Sequence, residues 1–223
     1  MHHWCVPTVG AEFVWRMEDL LDLYAESYDP AYPVVCFDEC PVQLIAETQV
    51  PVPLAPGQPR RIDYAYRRAG TANLFVMIQP LAGWRHGTVT DQRTKQDFAA
   101  HMRDLVDIHF PTATLISVVL DTLNTHPPAA LYATCAPAEA RRIVDRLEFR
   151  YTPKHGSWLN MAEIERSVLK RQWLNRRIGD RDTLATVIAT WEQQRNTAKA
   201  MIIWRFTRAQ ARVKLQRLYP SLP

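Results

Sequence analysis

Apolar residues recur at helical spacing between residues 11 and 28, where Phe13, Met17, Leu20, Leu21 and Tyr24 share a stripe and Asp29-Pro30 stops the pattern. Val34-Val35-Cys36-Phe37 is a short unbroken apolar run of the kind that makes a buried strand; it ends in Asp38-Glu39, with Pro41 just beyond. The Pro-rich stretch 50–59 cannot supply a regular row of backbone donors and reads as an extended loop. Segments 62–66, 72–79 and 84–90, set apart by Gly70 and Gly83, read as strands of an antiparallel meander. Thr94 caps a helix running to about residue 109, with Phe98, Met102, Leu105 and Val106 on its apolar stripe and Pro111 past its end.

The run 115–120 (Leu-Ile-Ser-Val-Val-Leu) is the most buried-looking strand, and it too closes on a carboxylate, Asp121. A helix over 137–147, a short strand over 149–152, a stiff loop over 153–158 and a helix over about 160–173 follow; helical segments near 182–200 and 207–218 finish the chain. Strands first, then helices alternating with strands, imply an α/β fold: a mixed sheet with helices on its faces. Three segments are expected: a helical lead-in over 1–30, a central α/β domain over 31–175 and a basic helical C-terminal extension over 176–223.

Composition narrows the function classes. No stretch approaches the ~18 uninterrupted apolar residues of a membrane span, and Met1-His2-His3-Trp4 lacks the order of a signal peptide, so a cytoplasmic protein with no membrane partner is expected. Cys5, Cys36, Cys40 and Cys135 lack the paired spacings of a zinc site or the density of a disulfide scaffold, which favours reduced thiols. The net charge of +4 hides an asymmetry. From Arg141 onward 18 Lys/Arg stand against 7 Asp/Glu, a balance that points to a polyanionic partner unless it merely solvates helix surfaces.

Three acids stand where chemistry rather than solvation would put them: Asp38 on the first strand, Asp121 at the end of a later one and Glu163 one turn into a helix. If the two strands are neighbours, the aspartates converge, and a helix crossing the strand ends brings Glu163 to the same place. Carboxylate oxygens suit magnesium or manganese, and a pair of such ions serves in-line displacement at phosphorus. Each acid also has an ordinary reading. An aspartate at Asp38 suits a strand end, Asp121 suits the start of a turn with Asn124, and Glu163 has the spacing to close a capping box on Asn160. Glu39 and Glu165 compete for the same roles, but neighbours on a strand, and residues two apart on a helix, face different ways.

The motifs 34–39 (Val-Val-Cys-Phe-Asp-Glu), 118–126 (Val-Val-Leu-Asp-Thr-Leu-Asn-Thr-His) and 151–165 (Tyr-Thr-Pro-Lys-His-Gly-Ser-Trp-Leu-Asn-Met-Ala-Glu-Ile-Glu) resemble, in the expected order, those of bacterial insertion-sequence transposases allied to the mariner superfamily, the insertion sequence six-thirty family. The resemblance extends from about Trp4 to Pro220. It implies a ribonuclease H-like five-stranded mixed sheet and a DDE endonuclease and strand transferase. It also implies Asp38, Asp121 and Glu163 as catalytic, metal-holding acids, and it selects Glu163 over Glu165 through the pattern Leu-Asn-x-x-Glu. Magnesium or manganese is the implied cofactor, DNA (element ends and target) the implied partner, and a homodimer the implied assembly, in a nucleoid-associated bacterial protein. Two departures stand out. Thr122 replaces the family's usual Asn, and a single helix precedes Asp38 where full-length relatives carry helix-turn-helix modules, so a separately encoded DNA-binding chain is expected. The alternatives are a catalytically silent DNA-binding or assembly remnant, or a ribonuclease H-like nuclease.

Around the triad, Lys154 is placed to meet phosphate, His155 to donate to a non-bridging oxygen and Trp158 to stack a base or to buttress the loop. Arg171, Arg176 and Arg177 follow the catalytic helix as further DNA contacts, with Arg181, Arg205, Arg208, Arg212, Lys214 and Arg217 beyond. His126 is read as ordering the turn after Asp121, and Trp173, Trp191 and Trp204 as core.

Overall fold

A computed structural model describes residues 10–52, 55–58, 63–121 and 127–220. The expectations for Cys5, Ile62, Thr122, Asn124 and His126 fall outside the described residues. Five strands form one mixed sheet: β1 (Val34–Glu47), β2 (Tyr66–Gln79), β3 (Trp84–Thr90), β4 (Ile116–Leu120) and β5 (Leu147–Tyr151), in the order β3-β2-β1-β4-β5. β1, β2 and β3 pair antiparallel as a meander, while β4 joins β1 and β5 joins β4 in parallel.

β1 is longer than its apolar run predicts and passes straight through Pro41, which pairs with Asn73. Its pairing with β4 covers only Val34 to Cys36. Pro41 therefore lies where β1 is an edge on its β4 side, a place where the missing N–H is tolerated. β2 is likewise one strand across Gly70 rather than two. The register skips between Gln43 and Ile45, leaving Ala69 and Gly70 opposite a single residue, and Gly70 adopts φ 100° in this bulge. Gly83 has the separating role expected of it, turning β2 into β3 at φ 66°. A Cβ at Gly83 would come within 2.6 Å of the Lys199 backbone. Gly83→Ala is accordingly expected to lower stability by about 1–3 kcal/mol, read as a lower melting temperature.

Helices cover both faces. On one side lie α2 (Lys95–Asp104), capped by Thr94 in a capping box with Asp97 and extended by a π turn over Leu105–His109, then α3 (Ala129–Thr134) and α4 (Pro137–Val144). Phe98, Met102, Leu105, Leu131 and Ile143 pack there against Val35, Phe37, Phe75, Val118 and Leu120. The other side carries α1 (Ala11–Leu23), α5 (Met161–Gln172), α6 (Arg181–Thr197) and α7 (Arg208–Lys214). Met17, Leu20, Ala162, Leu169, Ile188, Trp191 and Ala211 meet Cys36, Leu74, Val76, Ile78 and Val119 on that face. Trp191 is fully buried, and Trp173 and Trp204 are partly buried against the same cluster. No helix among the described residues is long and apolar enough to cross a membrane.

Candidate active site

Strand alternation sends Cys36, Asp38 and Cys40 to the α5 side, and Val35, Phe37 and Glu39 to the α2 side. The two apolar clusters divide accordingly, Cys36 and Cys40 falling in one and Val35 and Phe37 in the other. Parallel pairing sets Cys36 beside Val119. Asp38 lies two residues beyond Cys36 on β1, and Asp121, two beyond Val119, follows directly after the last residue of β4. A backbone bond from Thr152 N–H to the Leu120 carbonyl (3.0 Å) continues the β4–β5 ladder to this level.

Glu163 reaches the cluster through the start of α5. Asn160 is fully buried and caps the helix, its Oδ1 accepting from Ala162 N–H at 3.0 Å while its Nδ2 donates to the Phe37 carbonyl at 2.8 Å. One side chain thus ties the first turn of α5 to the residue beside Asp38. Tyr24, from the end of α1, donates to the Leu159 carbonyl at 2.8 Å and supports the same turn. The Asn160 backbone N–H bonds the Ser157 carbonyl at 2.8 Å, so Glu163 is not held in the capping box that its spacing allowed.

Each acid has a distinct setting. Asp121 accepts hydroxyls from Thr152 (2.7 Å) and Ser157 (2.9 Å). Asp38 is only 9% exposed, and its Oδ1 accepts from Glu39 N–H at 2.9 Å. Its Oδ2 lies 2.9 Å from Arg166 Nε, but out of line for a hydrogen bond. The second arm of the Arg166 guanidinium stands 3.5 Å from Glu163 Oε1. Burial raises the Asp38 carboxyl to about 6 despite Arg166, with Glu163 and Asp121 adding to the rise. Burial also raises Glu163, against Arg166 and with Asp121. The three acids therefore sense one another's charge.

The rival acids are committed elsewhere. Glu165 is fully buried and binds Arg85 (3.0 Å) and Arg195 (2.8 and 3.0 Å). Burial pushes its pKa up, but the two guanidiniums outweigh this and hold it below the ordinary value. Glu39 faces the other side of the sheet and lies 3.2 Å from Arg93.

The donor chemistry of Asp38, Asp121 and Glu163 fits a hard divalent cation, and a buried carboxylate oxygen with no hydrogen bond is the kind of atom such an ion satisfies. As they stand, no three His, Cys, Asp or Glu side chains among the described residues are close enough to hold a metal ion. The positive charge between Asp38 and Glu163 is the guanidinium of Arg166.

The other expected contacts divide into two groups. Lys154 and His155 are exposed on the loop whose ends, Thr152 and Ser157, both bond Asp121, and His155 takes the left-handed φ of 65°. Trp158 is 43% exposed, with its ring 6.3 Å from those of Trp204 and Phe206. Arg171 and Arg176 are exposed beyond the acids. Arg177 is not gathered with these groups. It donates to the carbonyls of Ala65 (2.9 Å) and Asp63 (2.8 Å), pairs with Glu47, and so clamps the far end of β1, roughly 30 Å along the strand from Asp38. Sequence reasoning missed Thr152, Ser157, Tyr24 and Arg166. Only Arg166, three residues after Glu163 and so on its helix face, left a readable trace.

This arrangement, a mixed five-stranded sheet flanked by helices, with one acid on β1 and another just past the end of its parallel neighbour β4, is of the ribonuclease H-like class. The profile of the family described as DDE superfamily endonuclease matches residues 33–185, and the chain belongs to that family. No curated protein sequence matches it. Among solved structures, the mariner Mos1 paired end complex with Mg is similar at a TM-score of 0.51 and 13% identity, the match covering 92% of this chain and 61% of that one. The Mos1 strand transfer complex is similar at a TM-score of 0.42 and 12% identity, over 91% of this chain and 65% of that one. The chain thus spans under two thirds of the length of these transposases, and at such identity the likeness concerns the fold.

Proposed function

We propose that the chain is the catalytic part of a DNA transposase of the bacterial insertion sequence six-thirty family. It would cut one strand at an element end to free a 3′-hydroxyl and use that hydroxyl to attack target DNA. The observation that carries this reading is the meeting of Asp38, Asp121 and Glu163 on one face, with Asn160 bonding the strand of the first acid to the helix of the third.

In this reading Asp38, Asp121 and Glu163 hold magnesium or manganese, which when bound activates the attacking oxygen and stabilises the leaving one. The rest follows from this chain's own groups. Thr152 and Ser157 hydroxyls orient the Asp121 carboxylate. Lys154 and His155 stand on the loop those hydroxyls anchor, where they meet backbone phosphate, and the exposed part of Trp158 offers a stacking surface. Arg171 and Arg176 extend the cationic track. Element ends and target DNA are the substrates, held by a homodimer.

The test is cleavage of supercoiled and repeat-bearing DNA by the purified chain in magnesium or manganese, beside Asp121→Asn and Glu163→Gln. Metal-dependent cutting that falls more than about 100-fold in both variants is expected. Equal cutting by all three proteins would reject the triad. Salt-sensitive DNA binding with no cutting by any of them would favour a silent assembly domain.

A further inference from the structure

Arg166 is the one group in the site that neither the acids' chemistry nor the strand pairing calls for. It lies on α5 one turn after Glu163, with Nε 2.9 Å from Asp38 Oδ2, the other arm 3.5 Å from Glu163 Oε1, and the Cys40 thiol against the same guanidinium. Its contacts differ from those of the structural arginines. Arg85 and Arg195 meet Glu165 in short, aligned bonds, and Arg85 is fully buried. Arg166 is 35% exposed, its approach to Asp38 is out of line for a hydrogen bond, and its reach to Glu163 is long. A guanidinium so placed neutralises the acids without an aligned hydrogen bond to the Asp38 oxygen beside it, and a third of it faces solvent.

We propose that Arg166 is a displaceable internal counter-ion that holds Asp38 and Glu163 against metal uptake and moves to a DNA phosphate when the duplex arrives. The inference rests on the metal-binding reading of the three acids. A divalent ion and an arginine compete for the same carboxylate oxygens, and like charges at contact distance repel. A phosphate entering beside Glu163 offers the guanidinium a bidentate partner at least as good as the one it leaves. DNA binding and metal binding then become coupled, each strengthening the other by the same factor. The chain would assemble its metal centre on DNA rather than in free solution.

The experiment measures manganese affinity by electron paramagnetic resonance and calorimetry, with no turnover required, for the unmodified chain, Arg166→Gln, Arg166→Lys and Asp121→Asn. Each is titrated alone and with a short duplex carrying the element end. Arg166→Gln is expected to bind manganese about tenfold tighter than the unmodified chain in the absence of DNA, and to lose most of the gain that DNA confers. Arg166→Lys, which keeps the charge, should stay near the unmodified value, and melting curves confirm that each variant is folded. If Asp121→Asn abolishes manganese binding while Arg166→Gln leaves it unchanged or weaker, the counter-ion is rejected and the metal-binding reading stands. If Asp121→Asn binds manganese like the unmodified chain, or none of the proteins binds it, both fall.

Discussion

Replacing Glu165 with alanine is expected to cost the fold about 3–5 kcal/mol, whereas the same change two residues earlier, at Glu163, should shift stability by less than about 1 kcal/mol and remove cleavage. The difference follows from what each acid leaves behind. Glu165 is fully buried, and its loss strands the charge of Arg85, itself buried, and removes both bonds that Arg195 makes to the carboxylate. An uncompensated buried guanidinium carries the large penalty of a broken internal ion pair. These three residues bind α5, β3 and α6 together, so the change reaches the whole face. Glu163 is partly exposed, and burial already disfavours its charged form. Thermal melting of the two variants, side by side, should show a fall on the order of 10 °C for Glu165→Ala and little for Glu163→Ala. The reverse order would mean that the two acids have exchanged roles.

Asn160 should show a loss of both stability and activity from one side chain. Asn160→Ala removes the α5 cap and leaves the buried Phe37 carbonyl without its donor, an expected loss of about 2–4 kcal/mol. Cleavage, measured well below the lowered melting temperature, should fall about 100-fold, since displacement of a catalytic group by ~1 Å has that scale of effect. Asn160→Asp separates the two bonds: it keeps an oxygen for Ala162 N–H but cannot donate to Phe37. It should recover part of the stability and little of the cleavage. Full cleavage by either folded variant would show that the tie to Phe37 does not set the position of Glu163.

The sequence makes the order of elements legible wherever local chemistry decides it. Thr94 caps α2 as expected, Gly83 turns β2 into β3, and the apolar runs at Val34 and Ile116 become the paired strands beneath the acids. It misleads where tertiary context overrides a local rule. Pro41 looks like the end of β1 because a proline lacks a donor, but that donor matters only where a neighbouring strand needs it. Gly70 looks like a separator because its left-handed φ usually marks a turn, and here it sits in a bulge. The helix over 129–134 follows Pro127-Pro128 and is too short to show a period. The resemblance picks Glu163 over Glu165 through Leu-Asn-x-x-Glu, but the ion pairs that occupy Glu165 were not legible, because Arg85 and Arg195 come from segments distant in sequence. The hydroxyls that hold Asp121 were invisible for the same reason.

The face bearing the acids is closed by the two most distant parts of the described chain. Arg212 on α7 grips Glu18 on α1 through two bonds of 2.7 and 2.8 Å, and Arg208 pairs with Asp22. At about 5–20 residues per second, a ribosome needs roughly 10–40 s to cover the 194 residues between Glu18 and Arg212. During that interval Met17 and Leu20 lack the cover of α7, and β1 and β2 wait for α5 and α6. The nascent protein therefore cannot finish this side before the last helix emerges. Its folding is governed by late, long-range closure, a slow and aggregation-prone regime in which chaperone occupancy during synthesis should matter more than the final free energy.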